Sequence, residues 1–175
     1  EMVHLFSYPT RIVFGIGALE FIGKEAPAGC KKAFLVTDPG MVNLDVFRTL
    51  QARLEQAGLA YVVFSGVSPN PTSVEVENGA RVFNETGCDW IVGMGGGSAI
   101  DGARGIALMA RHPGSIIDYD DSKGGADRIT ADIPPLYAIP TTAGTGSEVG
   151  RSTVVVDPVT NRKVIVFSPF LISTV

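Results

Sequence analysis

Apolar and polar positions alternate along this chain in two periods, and the switches between them mark the elements. Ala33-Phe34-Leu35-Val36 is a continuous apolar run within Lys32 to Asp38, the pattern of a strand buried on both faces. Phe47, Leu50, Leu54 and Ala57 then recur at spacings of three and four, which predicts a helix, and Gly58 stands where a helix end favours glycine. Leu59 to Ser65 reads as a second strand. A rigid loop, Pro69-Asn70-Pro71-Thr72, follows, and Ser73 is placed to cap a helix running to Gly87. Asp89 to Gly93 is a third strand, and beyond a run of glycines Ile100, Ala103, Ala107 and Leu108 form a helical stripe. Residues 32 to 104 therefore predict β-α-β-α-β-α.

On the N-terminal side, Arg11 to Phe14 is a short apolar run, followed by Gly15-Ile16-Gly17 and a helix carrying Leu19, Phe21 and Ile22 that ends near Pro27. On the C-terminal side, residues 112 to 135 are polar and read as a surface loop. Its acids, Asp118, Asp120 and Asp121, have no metal-coordinating spacing and read as solvated. Leu136 to Ile139 is a further strand, and Thr153 to Val156 with Val164 to Phe167 form a hairpin around Asp157 to Asn161. The fold class that follows is α/β: a Rossmann-like parallel sheet with helices on both faces, plus a β-hairpin. Such sheets bind ligands beyond the carboxyl ends of their strands. Asp38, the loop at Asn70 and the glycines at 95 to 97 all fall on that edge.

The stretch Gly95-Gly96-Gly97-Ser98 joins a strand to a helix. Glycines there let an anion approach the backbone, and the free N–H groups and dipole of the helix start attract it. The same residues also suit a plain turn with Ser98 as N-cap and Asp101 closing a capping box. Asp38 has two readings of equal weight. It can accept from both ribose hydroxyls of an adenosine and repel a 2′-phosphate, which favours NAD over NADP, or it can close an Asx turn into Pro39-Gly40. Thr141, Thr142, Thr145 and Ser147 offer four hydroxyls in seven residues, suited to a phosphate or an amide, or to an ordinary turn. Lys163 can meet a ribose or phosphate, or be a solvated charge. Gly15-x-Gly17 lacks the third glycine of a dinucleotide fingerprint and reads as a structural turn.

Composition narrows the classes. At 175 residues, 45% hydrophobic and 18% charged, the chain suits one domain with a generous core. A net charge of −4 without a Lys/Arg run leaves no nucleic-acid footprint, and no apolar stretch is long enough to span a bilayer. Cys30 and Cys88 lack metal or redox spacing and read as reduced core thiols of a cytoplasmic protein without a signal peptide. Two scattered histidines, His4 and His112, do not make a metal site. His112 ends a helix beside Pro113, where a positive charge is favourable. There is no Walker loop and no nucleophile elbow.

Together, Gly95-Gly96-Gly97-Ser98-x-x-Asp101-x-Ala103, the Pro140 to Glu148 stretch, the Pro69 to Thr72 loop, the Val36-Thr37-Asp38 strand end, and Asp157, Lys163 and Ser168-Pro169 resemble the iron-dependent (group III) alcohol dehydrogenases. The resemblance covers nearly the whole chain. It implies a dehydroquinate synthase-like N-terminal domain, with residues 1–175 as the NAD(P)-binding domain and a helical metal-binding domain outside this chain. It implies that Asp38 contacts the adenine ribose and that Gly96, Gly97 and Ser98 hold the pyrophosphate. Asn70, Asp101, Thr141, Thr142, Thr145 and Ser147 would belong to the rest of the cofactor site, with Val154 and Lys163 nearer the nicotinamide. The cofactor implied is NAD rather than NADP, with Fe²⁺ or another divalent metal in the other domain. The substrate implied is a primary or secondary alcohol or its aldehyde, handled by a homo-oligomer when full length. The alternative is a stand-alone nucleotide-binding module or subunit without activity. This chain alone is expected to bind nucleotide weakly or not at all and to turn over no alcohol. The family usually has lysine where Arg104 stands, which leaves the role of that position open.

Overall fold

The computed structural model describes residues 10–175; His4 lies outside them. Four parallel strands form the main sheet: β1 (Lys32–Val36), β2 (Ala60–Phe64), β3 (Trp90–Gly95) and β4 (Leu136–Pro140). Their order is β2-β1-β3-β4, so the chain steps outward from β1 to β2 and then crosses back to β3. Phe34 pairs with Val62 on one side and Ile91 on the other, and Ile91 pairs with Leu136. The crossovers β1–β2 and β2–β3 are α1 (Asp45–Gln56) and α2 (Ser73–Glu85), and α3 (Gly97–Met109) follows β3. An antiparallel hairpin, β5 (Ser152–Asp157) and β6 (Arg162–Phe167), comes last.

The alternation of side chains along each strand divides the core into two layers. Phe34, Val36 and Ile91 pack with α2, α3 and the inner residues of the hairpin, Val155, Val164 and Val166. Ala33, Leu35, Trp90, Val92 and Met94 pack on the other face with Phe47, Leu50 and Leu54 of α1. These are the residues whose spacing predicted that helix. Gly58, at φ 70°, ends it as expected. Helix α3 lies tight against the sheet: a Cβ on Gly93 would stand 2.7 Å from Ala103 Cβ. Only a glycine permits that approach, and it aims the start of α3 at the end of β3.

Four local expectations are corrected. The helix after Gly17 is a single 3-10 turn, Ala18–Phe21. Gly23 interrupts the segment and packs where a Cβ would collide with Ala57 Cβ at 2.6 Å, so too few residues remain to offset the cost of helix nucleation. The cap of α2 is Thr72, not Ser73. The Thr72 hydroxyl accepts from the Glu75 amide, and the Glu75 carboxylate accepts from the Thr72 amide at 2.7 Å, a full capping box. Residues 112–135 are not merely a surface loop. They hold three 3-10 turns, Ile116–Tyr119, Asp121–Lys123 and Gly125–Arg128, pinned by buried Ile116, Tyr119 and Ile129. Asp118 and Asp120 serve there as turn caps for the Ser115 and Ser122 amides. His112 is not a charged helix end. Its Nε2 accepts from the Thr130 amide at 2.9 Å, so the buried ring is neutral and ties that segment to α3.

Candidate functional site

The reversal of strand order between β1 and β3 opens a crevice at their carboxyl ends, the place where an open α/β sheet offers a ligand site. Asp38 follows β1 into this crevice, and the glycine turn follows β3. Asp38 does close an Asx turn: its Oδ1 accepts from the Gly40 amide at 2.9 Å and the Met41 amide at 3.0 Å. Its Oδ2 remains, 3.5 Å from where a Cβ on Gly95 would project. One carboxylate thus builds the turn with one oxygen and presents the other to the crevice.

Gly95 takes φ 147°, a backbone conformation other residues rarely adopt, and this turns the chain into α3. Gly96 is the N-cap, with extended ψ and no side-chain cap. The capping reading of Ser98 and Asp101 is therefore corrected. The helix begins one residue before Ser98, whose hydroxyl donates instead to the Pro69 carbonyl. That bond ties the Pro69 to Thr72 loop, and exposed Asn70 with it, to the helix start. The amides of Gly97 and Ser98, the first two of the helix, have no acceptor in the preceding turn and point out of it.

Opposite the glycines stands the loop after β4. Thr142 Oγ1 is 3.4 Å from the Cβ position of Gly96, and Ser147 Oγ is 3.0 Å from that of Gly97, with Thr145 Cβ at 3.5 Å. Any side chain at 96 or 97 would crowd the cleft between the two loops. Gly144 and Gly146, at φ 92° and 66°, give the loop its return path. Thr141 joins it to the sheet through its amide and the Gly95 carbonyl at 2.9 Å.

Below this cleft lies a buried charge network. Asp101 faces the hairpin and accepts from the Val154 amide, while its own carbonyl accepts from the Thr153 hydroxyl at 2.6 Å. Burial pushes the Asp101 carboxyl up to about 6, although Arg104 and the Val154 amide favour its charged form. Arg104, with no exposed surface, stands 3.5 Å from Asp101. Burial also draws the guanidinium below its ordinary value, against the pull of Asp101 and Glu148. Glu148 Oε2 is itself buried without a hydrogen-bond partner among the described residues. This network was the part of the site that sequence reasoning missed. The i, i+3 spacing of Asp101 and Arg104 was the available signal, but nothing local said that both would be covered.

The structure brings together Asp38, Gly96, Gly97, Ser98, Thr142, Thr145 and Ser147 around one cleft, with Thr141 at its base. Val154 lies beneath it through Asp101. Lys163 does not join the cluster: it is exposed on β6, paired with Val156, whose other neighbour is Thr72. An apolar groove of about 650 Å³ lies on the α1 face of the sheet, between β4, Val46 and residues 13–25, and meets the cleft at Thr141.

The family model for iron-containing alcohol dehydrogenases matches residues 9–175. Choline dehydrogenase of Bacillus subtilis is 43% identical over 158 residues, 90% of this chain and 39% of that protein. 1,3-Propanediol dehydrogenase of Citrobacter freundii is 39% identical over 170 residues, 94% of this chain and 43% of that protein. A crystal structure of 1,3-propanediol oxidoreductase superimposes with a TM-score of 0.88 at 36% identity, covering 98% of this chain and 44% of the other. Sulfoacetaldehyde reductase of Bifidobacterium kashiwanohense, solved in complex with NAD⁺, gives 0.85 at 32% identity, covering 99% and 45%. The chain thus spans about two fifths of the length of the relatives it matches.

Proposed function

The chain belongs to the iron-containing alcohol dehydrogenase family, and on that premise we propose that it is the cofactor-binding part of an enzyme that moves hydride between an alcohol and NAD. The observation that carries this reading is the cleft at the switch point. Glycines without Cβ atoms line one crevice together with two helix-start amides and a carboxylate oxygen that have no hydrogen-bond partner among the described residues. A dinucleotide fits that set. The Gly97 and Ser98 amides would donate to its diphosphate, helped by the dipole of α3. Asp38 Oδ2 would accept from the adenine ribose and, being negative, disfavour a 2′-phosphate, which selects NAD over NADP. Thr141, Thr142, Thr145 and Ser147 would bind and orient the remainder, with Asn70, Asp101, Val154 and Lys163 at its margins. When bound, NAD supplies the hydride acceptor of the nicotinamide ring.

The described residues do not fit a metal: no three His, Cys, Asp or Glu side chains converge among them. On this reading the divalent metal, the alcohol or aldehyde and the groups that handle them belong to a helical domain outside these 175 residues. The reading also carries a cytoplasmic setting and self-association of the longer protein. No helix of the described residues is long and apolar enough to cross a membrane.

Titration of the ¹⁵N-labelled chain with NAD and NADP, followed by NMR, tests the assignment. Of weak binding and none, both left open by the sequence, this reading commits to weak NAD binding that shifts the amides around 38, 96–98 and 141–147, with NADP weaker. Shifts confined to the groove behind β4, or none, would overturn it. No turnover of short alcohols by this chain with Fe²⁺ and NAD is expected, and measurable turnover would contradict the assignment of the catalytic groups to another domain.

A further inference from the structure

The loop over the glycine turn, residues 141–150, is built on glycines, exposed from Thr141 to Gly146 and half-buried from Ser147 to Gly150. Its internal bonds are local: Ser147 N to Thr145 Oγ1, Val149 N to Gly146 O, Gly150 N to Ser147 O. Among the described residues, one hydrogen bond reaches its interior from elsewhere, from Arg104 Nη2 to the Ser147 carbonyl at 2.6 Å. The same guanidinium donates from Nε to Leu171 O at 2.7 Å, from Nη1 to Ser152 O at 2.7 Å and from Nη2 to Ser173 Oγ at 3.3 Å. Four of the five N–H groups of the fork are thus hydrogen-bonded, and Asp101 stands 3.5 Å from Nη1 as an ion pair. Arg104 therefore grips the loop, the start of the hairpin and the C-terminal segment from one planar group on α3, the helix whose first residues form the glycine turn. Ser147 is the residue held, and its hydroxyl stands over Gly97.

We propose that Arg104 is a positioning residue for the cofactor: it sets the height of the 141–150 loop above the glycine turn, and through it the affinity for the half of a dinucleotide beyond the adenosine. This rests on the cofactor reading above. It also explains why arginine stands here. A lysine carries three donors on one nitrogen and cannot serve acceptors spread around a plane on three segments.

The test is an NMR titration of the wild-type chain, R104K and R104M with NAD and, separately, with AMP, alongside amide hydrogen exchange and thermal melts. In R104M the dissociation constant for NAD should rise about tenfold, a loss of one strong contact's worth of positioning. AMP, held on the Asp38 side, should change by no more than about twofold, as distant sites do. R104K should fall between, and amides 142–150 should exchange faster while those of β1 and β3 do not. NAD and AMP weakened alike, or NAD unchanged with the loop still protected, would overturn the positioning role. If R104M does not fold, R104K carries the same comparison, and a folded R104K with wild-type NAD affinity and loop protection overturns it. A wild-type chain that binds neither nucleotide overturns the cofactor reading itself, whereas one that binds NAD equally with and without Arg104 overturns only this inference.

Discussion

Asp38 shows how one residue satisfies two readings that its sequence context weighs equally. A carboxylate has two oxygens, and the turn into Gly40 and Met41 uses only Oδ1. Asp101 is the opposite case, a polar residue whose environment the sequence does not display. Its carboxyl titrates near 6 because it is covered, against 3.8 when free. Between those values the folded chain keeps a proton that the unfolded chain releases, so stability falls as pH rises from about 4 to 6 and is level above. At about 1.4 kcal/mol per pH unit the loss is on the order of 2–3 kcal/mol. Asn at this position keeps an acceptor for the Val154 amide without a charge, so D101N should flatten that slope in urea midpoints measured at pH 4.5, 5.5 and 7. A slope equal to wild type would show that Asp101 does not titrate there. Asp157, held below its ordinary value by the Thr160 hydroxyl and the Val159 amide, acts with the opposite sign and only at lower pH.

At the scale of elements, periodicity located strands and helices while the caps were decided by geometry. The β1-α1-β2-α2-β3-α3 order and the apolar face of α1 follow from spacing alone. The start of α2 moved one residue because Thr72, not Ser73, can exchange bonds with Glu75. T72A should cost about 1 kcal/mol in the urea unfolding free energy, and S73A less, since Ser73 makes no cap bond. Residues 112–135 give no periodic signal, because their three buried anchors, Ile116, Tyr119 and Ile129, are too sparse to produce one. The neutral His112 holds this segment by accepting from Thr130 N. H112F leaves that amide without a partner, so a loss of roughly 1–3 kcal/mol is expected, with faster exchange at Thr130. Unchanged stability and exchange would show that the bond contributes nothing.

Seen whole, the molecule carries a polar cleft at the sheet edge and an apolar groove on the α1 face, the two meeting at Thr141. Phe14 and Ile16 beside that groove are almost completely exposed, at 97% and 111% of reference. Apolar surface of this kind drives association. Sedimentation should show concentration-dependent self-association of the 175-residue chain, reduced by I16D, and a monomer at all concentrations would contradict it. The cleft depends on the crossing from β2 back to β3, which sets Asp38 beside the glycine turn across 57 residues of sequence separation. A wrong crossover would leave both motifs intact and the site absent.

Local pattern settled the strands, most helix faces and the chemical kinds of residue at the sheet edge, because period and glycine placement act over a few neighbours. Contact between distant segments settled the rest. The loop of hydroxyls faces the glycines, Ser98 turns away from capping to hold Pro69, and Arg104 with Asp101 disappears from solvent beneath them. Burial of a charge and the partner that compensates it are properties of packing between elements far apart in the chain, and no window of sequence contains them.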